Sequence, residues 1–213
     1  MIYTILKDKG GLLLKVFITF SPQQVSLSPF VYETQGNSRL LYGPTGFPII
    51  PAINGYAQPG EPFRVVLIVQ NHESCIRNAD AFRAELDTLC QTRGLVCEEI
   101  QELHVPFDNR VTTHIETFQK LIDVIRDGDD IHACITYGSK PAPMAELMAL
   151  RYARQVKKDT YISCVVYGQV DFKLKEAKIY DETALVHLDD IIRVLAQSGA
   201  PNPGQILKNI IDL

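Results

Sequence analysis

Asp129-Asp130-Ile131-His132-Ala133-Cys134-Ile135-Thr136-Tyr137-Gly138-Ser139-Lys140-Pro141, running on into Ala142-Pro143-Met144-Ala145-Glu146-Leu147-Met148-Ala149-Leu150-Arg151-Tyr152-Ala153-Arg154, decides the fold. Residues 131–136 form a short apolar run rich in β-formers and preceded by acidic turn residues, the pattern of a strand buried on both faces of a parallel sheet. After Gly138 come a hydroxyl, a cation and two prolines. A helix-period run follows, with Met144, Leu147, Met148 and Tyr152 interleaved with Ala145, Ala149 and Ala153. A strand that ends in a Gly-Ser-Lys turn and feeds a helix N-terminus gathers backbone N–H groups, a hydroxyl and an ammonium at one point, which suits an anion. The same pattern also occurs in α/β proteins with no ligand there, and a turn lysine is commonly just solvated, so the pattern alone leaves both readings open.

Outward from this stretch, strand-like and helix-like segments alternate. Residues 12–20 (Leu-Leu-Leu-Lys-Val-Phe-Ile-Thr-Phe) and 63–69 (Phe-Arg-Val-Val-Leu-Ile-Val) are buried strands. Phe82, Leu86, Leu89 and Cys90 mark a helix stopped by Gly94, and residues 95–105 a further strand. Ile115, Phe118, Leu121, Ile122 and Ile125 mark an amphipathic helix, and residues 160–167 another strand. A hairpin-like segment leads to Tyr180, and Asp181 or Thr183 caps a helix bearing Leu185, Leu188, Ile191, Ile192 and Leu195. Residues 31–62 hold many Gly, Pro, Asn and Gln between short apolar runs, which predicts one or two β-hairpins rather than helix. The expected fold is therefore α/β: a Rossmann-like, mostly parallel sheet with helices on both faces, plus a β-hairpin insertion after the first core strand.

With 213 residues the chain accommodates one such domain. We expect a main domain over residues 1–200 and a connector helix over 201–213, opened by Asn202 and Pro203. That helix is still apolar at Ile210, Ile211 and Leu213, the expectation either for a link to an effector domain absent from this sequence or for a short docking helix. A formal net charge of −4 and a pI of about 5.7 give no global attraction for duplex nucleic acid. Five cysteines, odd in number and without Cys-x-x-Cys, read as reduced core residues of a cytoplasmic protein. The first nine residues lack a signal-peptide apolar stretch, and no apolar run has bilayer-spanning length. Neither Gly-x-Gly-x-x-Gly after a strand nor a Walker Gly-Lys-Ser/Thr is present, and no metal-ligand spacing occurs, so no cofactor or metal is expected.

In doubly wound sheets ligands bind beyond the carboxyl ends of the strands. Four loops qualify, at residues 21–24, 70–74, 136–141 and 168–171, and they are rich in amides and hydroxyls and poor in carboxylates. That inventory suits hydrogen bonding to phosphates and bases better than acid–base chemistry on a neutral substrate.

The order of elements resembles the CARF domain, the CRISPR-associated Rossmann-like sensor fold. Three places carry the likeness: Phe17-Ile18-Thr19-Phe20-Ser21-Pro22-Gln23, the run Ile135-Thr136-Tyr137-Gly138-Ser139-Lys140-Pro141 before its Met- and Ala-rich helix, and Ile179-Tyr180-Asp181-Glu182-Thr183. It spans roughly Leu12 to Leu195, and Thr136 to Pro141 is its most specific part. The likeness implies a homodimer that holds a cyclic oligoadenylate, of four or six nucleotides, on its two-fold axis, as part of type III CRISPR antiviral defence. By position, Ser139 and Lys140 with the turn Thr136-Tyr137-Gly138 hold phosphate, and Ser21, Gln23 and Gln24 contact ribose or phosphate. Asn71, Gln169 and Tyr42 are the candidates for base contacts. Many relatives carry an acidic residue shortly before the turn, where this chain has Ala133 and Cys134.

The leading reading is a sensor without chemistry of its own, signalling to a fused effector. The alternative is a ring nuclease, in which a ribose 2′-hydroxyl attacks the adjacent phosphate with Ser21, Ser139 and Lys140 assisting. A winged-helix-linked transcription regulator and a generic enzyme for a small phosphorylated substrate rank lower. The first lacks a basic recognition helix and the second a nucleophile–base pair among the scattered histidines 72, 104, 114, 132 and 187.

Overall fold

β1 (Leu14–Phe20) lies in the middle of the sheet, parallel to β3 (Pro62–Gln70) on one side and β5 (Asp129–Cys134) on the other. Its residues from Val16 to Phe20 are all buried, with Val16, Ile18 and Phe20 in one core layer and Phe17 in the opposite one. Alternation across a pleat that is covered on both sides explains why the run reads as continuously apolar. A computed structural model of the chain describes residues 13–211. The expectations for the first nine residues, for Leu12 and for Leu213 lie outside these.

The strands are completed by β2 (Tyr32–Thr34), β4 (Val96–Val105), β6 (Tyr161–Asp171) and β7 (Glu176–Asp181), in the order β2-β7-β6-β5-β1-β3-β4. β1, β3, β4, β5 and β6 run parallel, β7 runs back against β6, and β2 follows β7. Helices α1 (Ile49–Tyr56) and α2 (Glu73–Arg93) cover one face, and α3 (Val111–Val124), α4 (Ala142–Val156) and α5 (Thr183–Gln197) the other. α6 (Pro203–Ile211) follows α5 and buries none of its residues. The chain winds outward through β1, β3 and β4, then returns to β5 on the far side of β1. The expected doubly wound, mostly parallel sheet is thus the fold, and its switch point lies between the carboxyl ends of β1 and β5.

The segment after β1 differs from the expected hairpins. It contains one antiparallel bridge, Phe30 with Thr45, while β2 pairs with the distant β7 and residues 49–56 are helical. Pro51 and Gly55 hide this helix from propensity, but Pro51 sits in the first turn, where its missing N–H costs no hydrogen bond. Burying Ile49, Ile50 and Ile53 contributes about 1.5–3 kcal/mol each, which outweighs the penalty of about 1 kcal/mol for Gly55.

A second difference bears on function. Residues 168–171, expected as a loop, continue β6 past the end of β5 and pair with residues 176–179 of β7. The two strands, with β2 paired to residues 177–179, form an arm that extends the sheet past the end of β5. At the opposite end, Arg64 and Asp129 form a fully buried ion pair across β1. Asp129 also accepts from the Arg126 N–H at 2.6 Å, and Arg64 donates to the Val124 carbonyl at 3.0 Å.

Candidate functional site

The turn after β5 is held from two directions. Thr136 Oγ1 accepts from the Gly168 N–H of the arm at 2.7 Å, and the Tyr137 hydroxyl donates to the Gly46 carbonyl at 2.6 Å. Gly168 is required where it stands, because a Cβ there would overlap the Pro48 ring. Gly138 adopts a φ of 101°, and its missing Cβ lets the turn fold against Ala142 and the Phe20 ring.

Between these anchors the backbone N–H groups of Tyr137, Gly138, Ser139 and Lys140 donate to no acceptor among the described residues. The Ser139 hydroxyl oxygen is shut from solvent and also lacks a partner among them. Lys140 is exposed and forms no ion pair with a described residue. Successive unpaired N–H groups beside a hydroxyl and an ammonium are the donors that anion-binding turns use.

The helix that follows contributes less than its sequence suggested. Ala142 donates to the Ser139 carbonyl at 2.8 Å, Met144 and Ala145 donate to that of Pro141, and Pro143 has no N–H. The donors therefore belong to the turn and not to the first turn of α4.

Electrostatics around the corner favour negative charge on a ligand. Residues 136–145 contain no carboxylate, and Glu146, one step further, is fully buried with neither oxygen paired. Burial raises the Glu146 carboxyl well above its ordinary range, which favours its neutral form. Burial likewise pushes the Tyr32 phenol to about 12 and the Tyr137 phenol higher still, so neither adds negative charge.

The first loop is built as scaffold. The Ser21 hydroxyl, fully buried, donates to the Cys75 carbonyl at 2.6 Å, and Gln23 Nε2 donates to Gln70 Oε1. Asn78 donates to the carbonyls of Pro22 and Gln24 at 2.8 and 2.9 Å, and Ser74 to that of Gln23 at 2.9 Å. These bonds pin residues 21–24 to the start of α2, whose first turn is capped by the His72 imidazole. Ser21 and Gln23 thus hold the loop in place, and the buried Asn78, which sequence reasoning missed, is its main anchor.

A cavity of about 230 Å³ lies beside the turn. Gln24, Thr136, Tyr137 and Gln169 contribute to its wall, so three of the four expected loops meet there. Its aromatic lining, Phe30, Tyr32, Tyr167 and Phe172, was not anticipated, because no pattern links the first loop to the arm until β2 pairs with β7. Asn71 stands apart, lining an open groove with His72 and Arg77 above β3. Three strand spacings separate β3 from β6, about 14 Å. Tyr42 packs against the α1–α2 core layer and does not line the cavity.

Among the described residues no cluster of three or more histidine, cysteine or acidic side chains has metal-binding geometry, and no helix is long and apolar enough to cross a membrane. The turn after β5 belongs to a doubly wound α/β protein and lies at the switch point of its sheet. No family model matches the chain, and no curated protein matches it. Among solved structures it is similar to the crystal structure of SCL7 in Oryza sativa, at 12% identity and a TM-score of 0.36 over 79% of this chain. The chain spans 40% of the length of that protein, and a likeness this slight carries no argument.

Proposed function

We propose that this chain is a sensor domain of the CARF kind, binding a cyclic oligoadenylate of type III CRISPR defence through its phosphates at the turn after β5. The observation that carries the reading is the run of four unpaired N–H groups, 137–140, ending on Lys140 with no carboxylate beside it. Such a corner at a topological switch point recognises phosphate, and the aromatic cavity next to it suits a base on the same ligand. The resemblance of residues 135–141 to CARF turns supplies the ligand class.

A ring with two-fold symmetry is matched by a symmetric dimer in which each contact occurs twice. Met144, Met148 and Tyr152 form an exposed stripe on α4 that starts one helical turn after Lys140. A second copy seated on that stripe would bring the two lysine corners near one axis, and α6 would lead from the dimer to a fused effector.

Calorimetric titration with cyclic tetra- and hexa-adenylate tests the proposal. One of the two rings is expected to bind with one ring per two chains, and Lys140→Ala to weaken it about ten- to hundred-fold, as for loss of a charged hydrogen bond. Equal affinity of wild type and Lys140→Ala would refute the assignment.

A further inference from the structure

α5 is amphipathic with its polar side turned toward its own domain. Val186, Asp190, Arg193 and Gln197 lie along one line of the helix, and Leu185, Leu188, Ile192 and Leu195 along the opposite one. Asp189 and Asp190 form ion pairs with Arg151 and Arg154 of α4, and Val186 is the one residue of α5 that is buried. Leu185 is 63% exposed and Ile192 45%. A surface helix ordinarily does the reverse. α6 packs against α5 with its Ile206 and Leu207 half-buried, yet its Ile210 and Ile211 stay exposed.

We infer that the apolar side of the α5–α6 pair is a subunit interface, covered in the dimer by α3 of a second copy. The inference rests on the proposed dimer across α4 and adds a second contact that holds it together.

α3 packs on β4 and α5 on β6, and α4 lies between them, touching α3 through Tyr152 and Phe118 and α5 through Arg151 and Asp189. Two copies that meet through this helix layer have two simple choices of two-fold axis. An axis across the strands sets α5 against α5 and sends the two Lys140 corners to opposite ends of the dimer. An axis along the strands brings both corners to one end, as a shared ligand requires, and sets α5 against the partner's α3. The receiving surface is apolar: Val111 and Ile115, one turn apart on α3, are 71% and 50% exposed. Glu116 pairs with Lys120 on the same helix at 2.7 Å, so neither it nor the paired Asp189 and Asp190 repels a second copy.

The area is also sufficient. Helices α3 to α6 expose eleven large apolar side chains. At roughly 60–120 Å² per side chain, about half of it open here, they offer on the order of 500 Å² of apolar surface. Interfaces are about 60% apolar, so this matches the roughly 800 Å² per partner of a standard stable contact.

Sedimentation velocity of the full chain and of its Ile115→Lys and Ile192→Glu variants, alone and mixed, tests the contact. Each variant alone is expected to raise the dimer dissociation constant about ten-fold or more, because it sets a charge against an apolar partner in both halves of the dimer. Circular dichroism should be unchanged, as both side chains are about half exposed in the single chain. Mixing the two variants is expected to restore dimers near wild-type affinity, since one half then pairs the two introduced charges and the other keeps both isoleucines. Variants that dimerise as well as wild type overturn the contact between α5 and α3 and leave the α4 dimer standing. Weakened variants that fail to recover on mixing overturn it too. A monomeric wild type overturns the α4 dimer and this contact together, whereas a dimer that binds no cyclic tetra- or hexa-adenylate refutes the ligand and leaves the interface.

Discussion

Glu146 is a carboxyl group buried near the start of α4 with both oxygens unpaired, and burial alone lifts its proton affinity in the fold. A carboxyl whose folded value is raised stabilises the fold when protonated. Its contribution is fully present below the unfolded value of about 4.3 and declines as pH rises from there toward the folded value. Unfolding free energy should fall by up to about 1.4 kcal/mol per pH unit across that window through this group. Glu146→Gln should remove that slope, as read from urea unfolding between pH 5 and pH 8. Identical slopes in variant and wild type would contradict it. The raised carboxyls of Glu85 and Asp129 act in both proteins and cancel from the comparison.

At the same scale, the turn at Gly138, Ser139 and Lys140 was legible because an apolar run that meets a glycine and two prolines must break there, whereas its role was left open by the pattern. The commitment of Ser21 to the Cys75 carbonyl was not legible, since its partner lies 54 residues away and only the packing of α2 brings them together.

Among the elements, α1 shows where local pattern fails. Its five leading residues, 49–53, are all buried, so no polar face marks a helical period and only tertiary packing selects the helix. Gly55 allows the helix to approach the preceding turn so closely that a Cβ would overlap the Arg39 carbonyl. Gly55→Ala should therefore destabilise the protein by about 1–3 kcal/mol, despite alanine's better helix propensity. Gly43→Ala, which opens onto free space, should leave the urea midpoint unchanged. A stabilised Gly55→Ala would mean that α1 does not pack as described.

The arm is the second such element, because a strand that outruns its neighbour reads as a loop until Gly168 is seen against Pro48. Gly168→Ala should displace the arm from Pro48 and destabilise the protein by about 1–3 kcal/mol, and an unchanged urea midpoint would show that the arm is not held there.

For the molecule as a whole, alternation of buried runs with helix-period runs was enough to give the doubly wound sheet, since right-handed crossovers leave few other arrangements, while the strand order that sets its switch point came from the structure. Which helix face stays uncovered was not legible from alternation, as it depends on tertiary packing. Met144, Met148 and Tyr152 remain 65%, 59% and 42% exposed on α4, with Tyr152 also meeting Phe118 edge-on at 5.9 Å. Light scattering should report a dimer for wild type and a monomer for Met148→Glu, with circular dichroism unchanged. A Met148→Glu protein that stays dimeric would move the interface elsewhere.

The central claim is that phosphate is held by the backbone of residues 137–140. It is tested most directly by a crystal structure of the chain grown with cyclic tetra-adenylate. The account predicts a phosphate oxygen within hydrogen-bonding distance of at least two of those N–H groups, with the Lys140 ammonium beside it. A ring bound elsewhere on the surface, with that turn left bare, would contradict it.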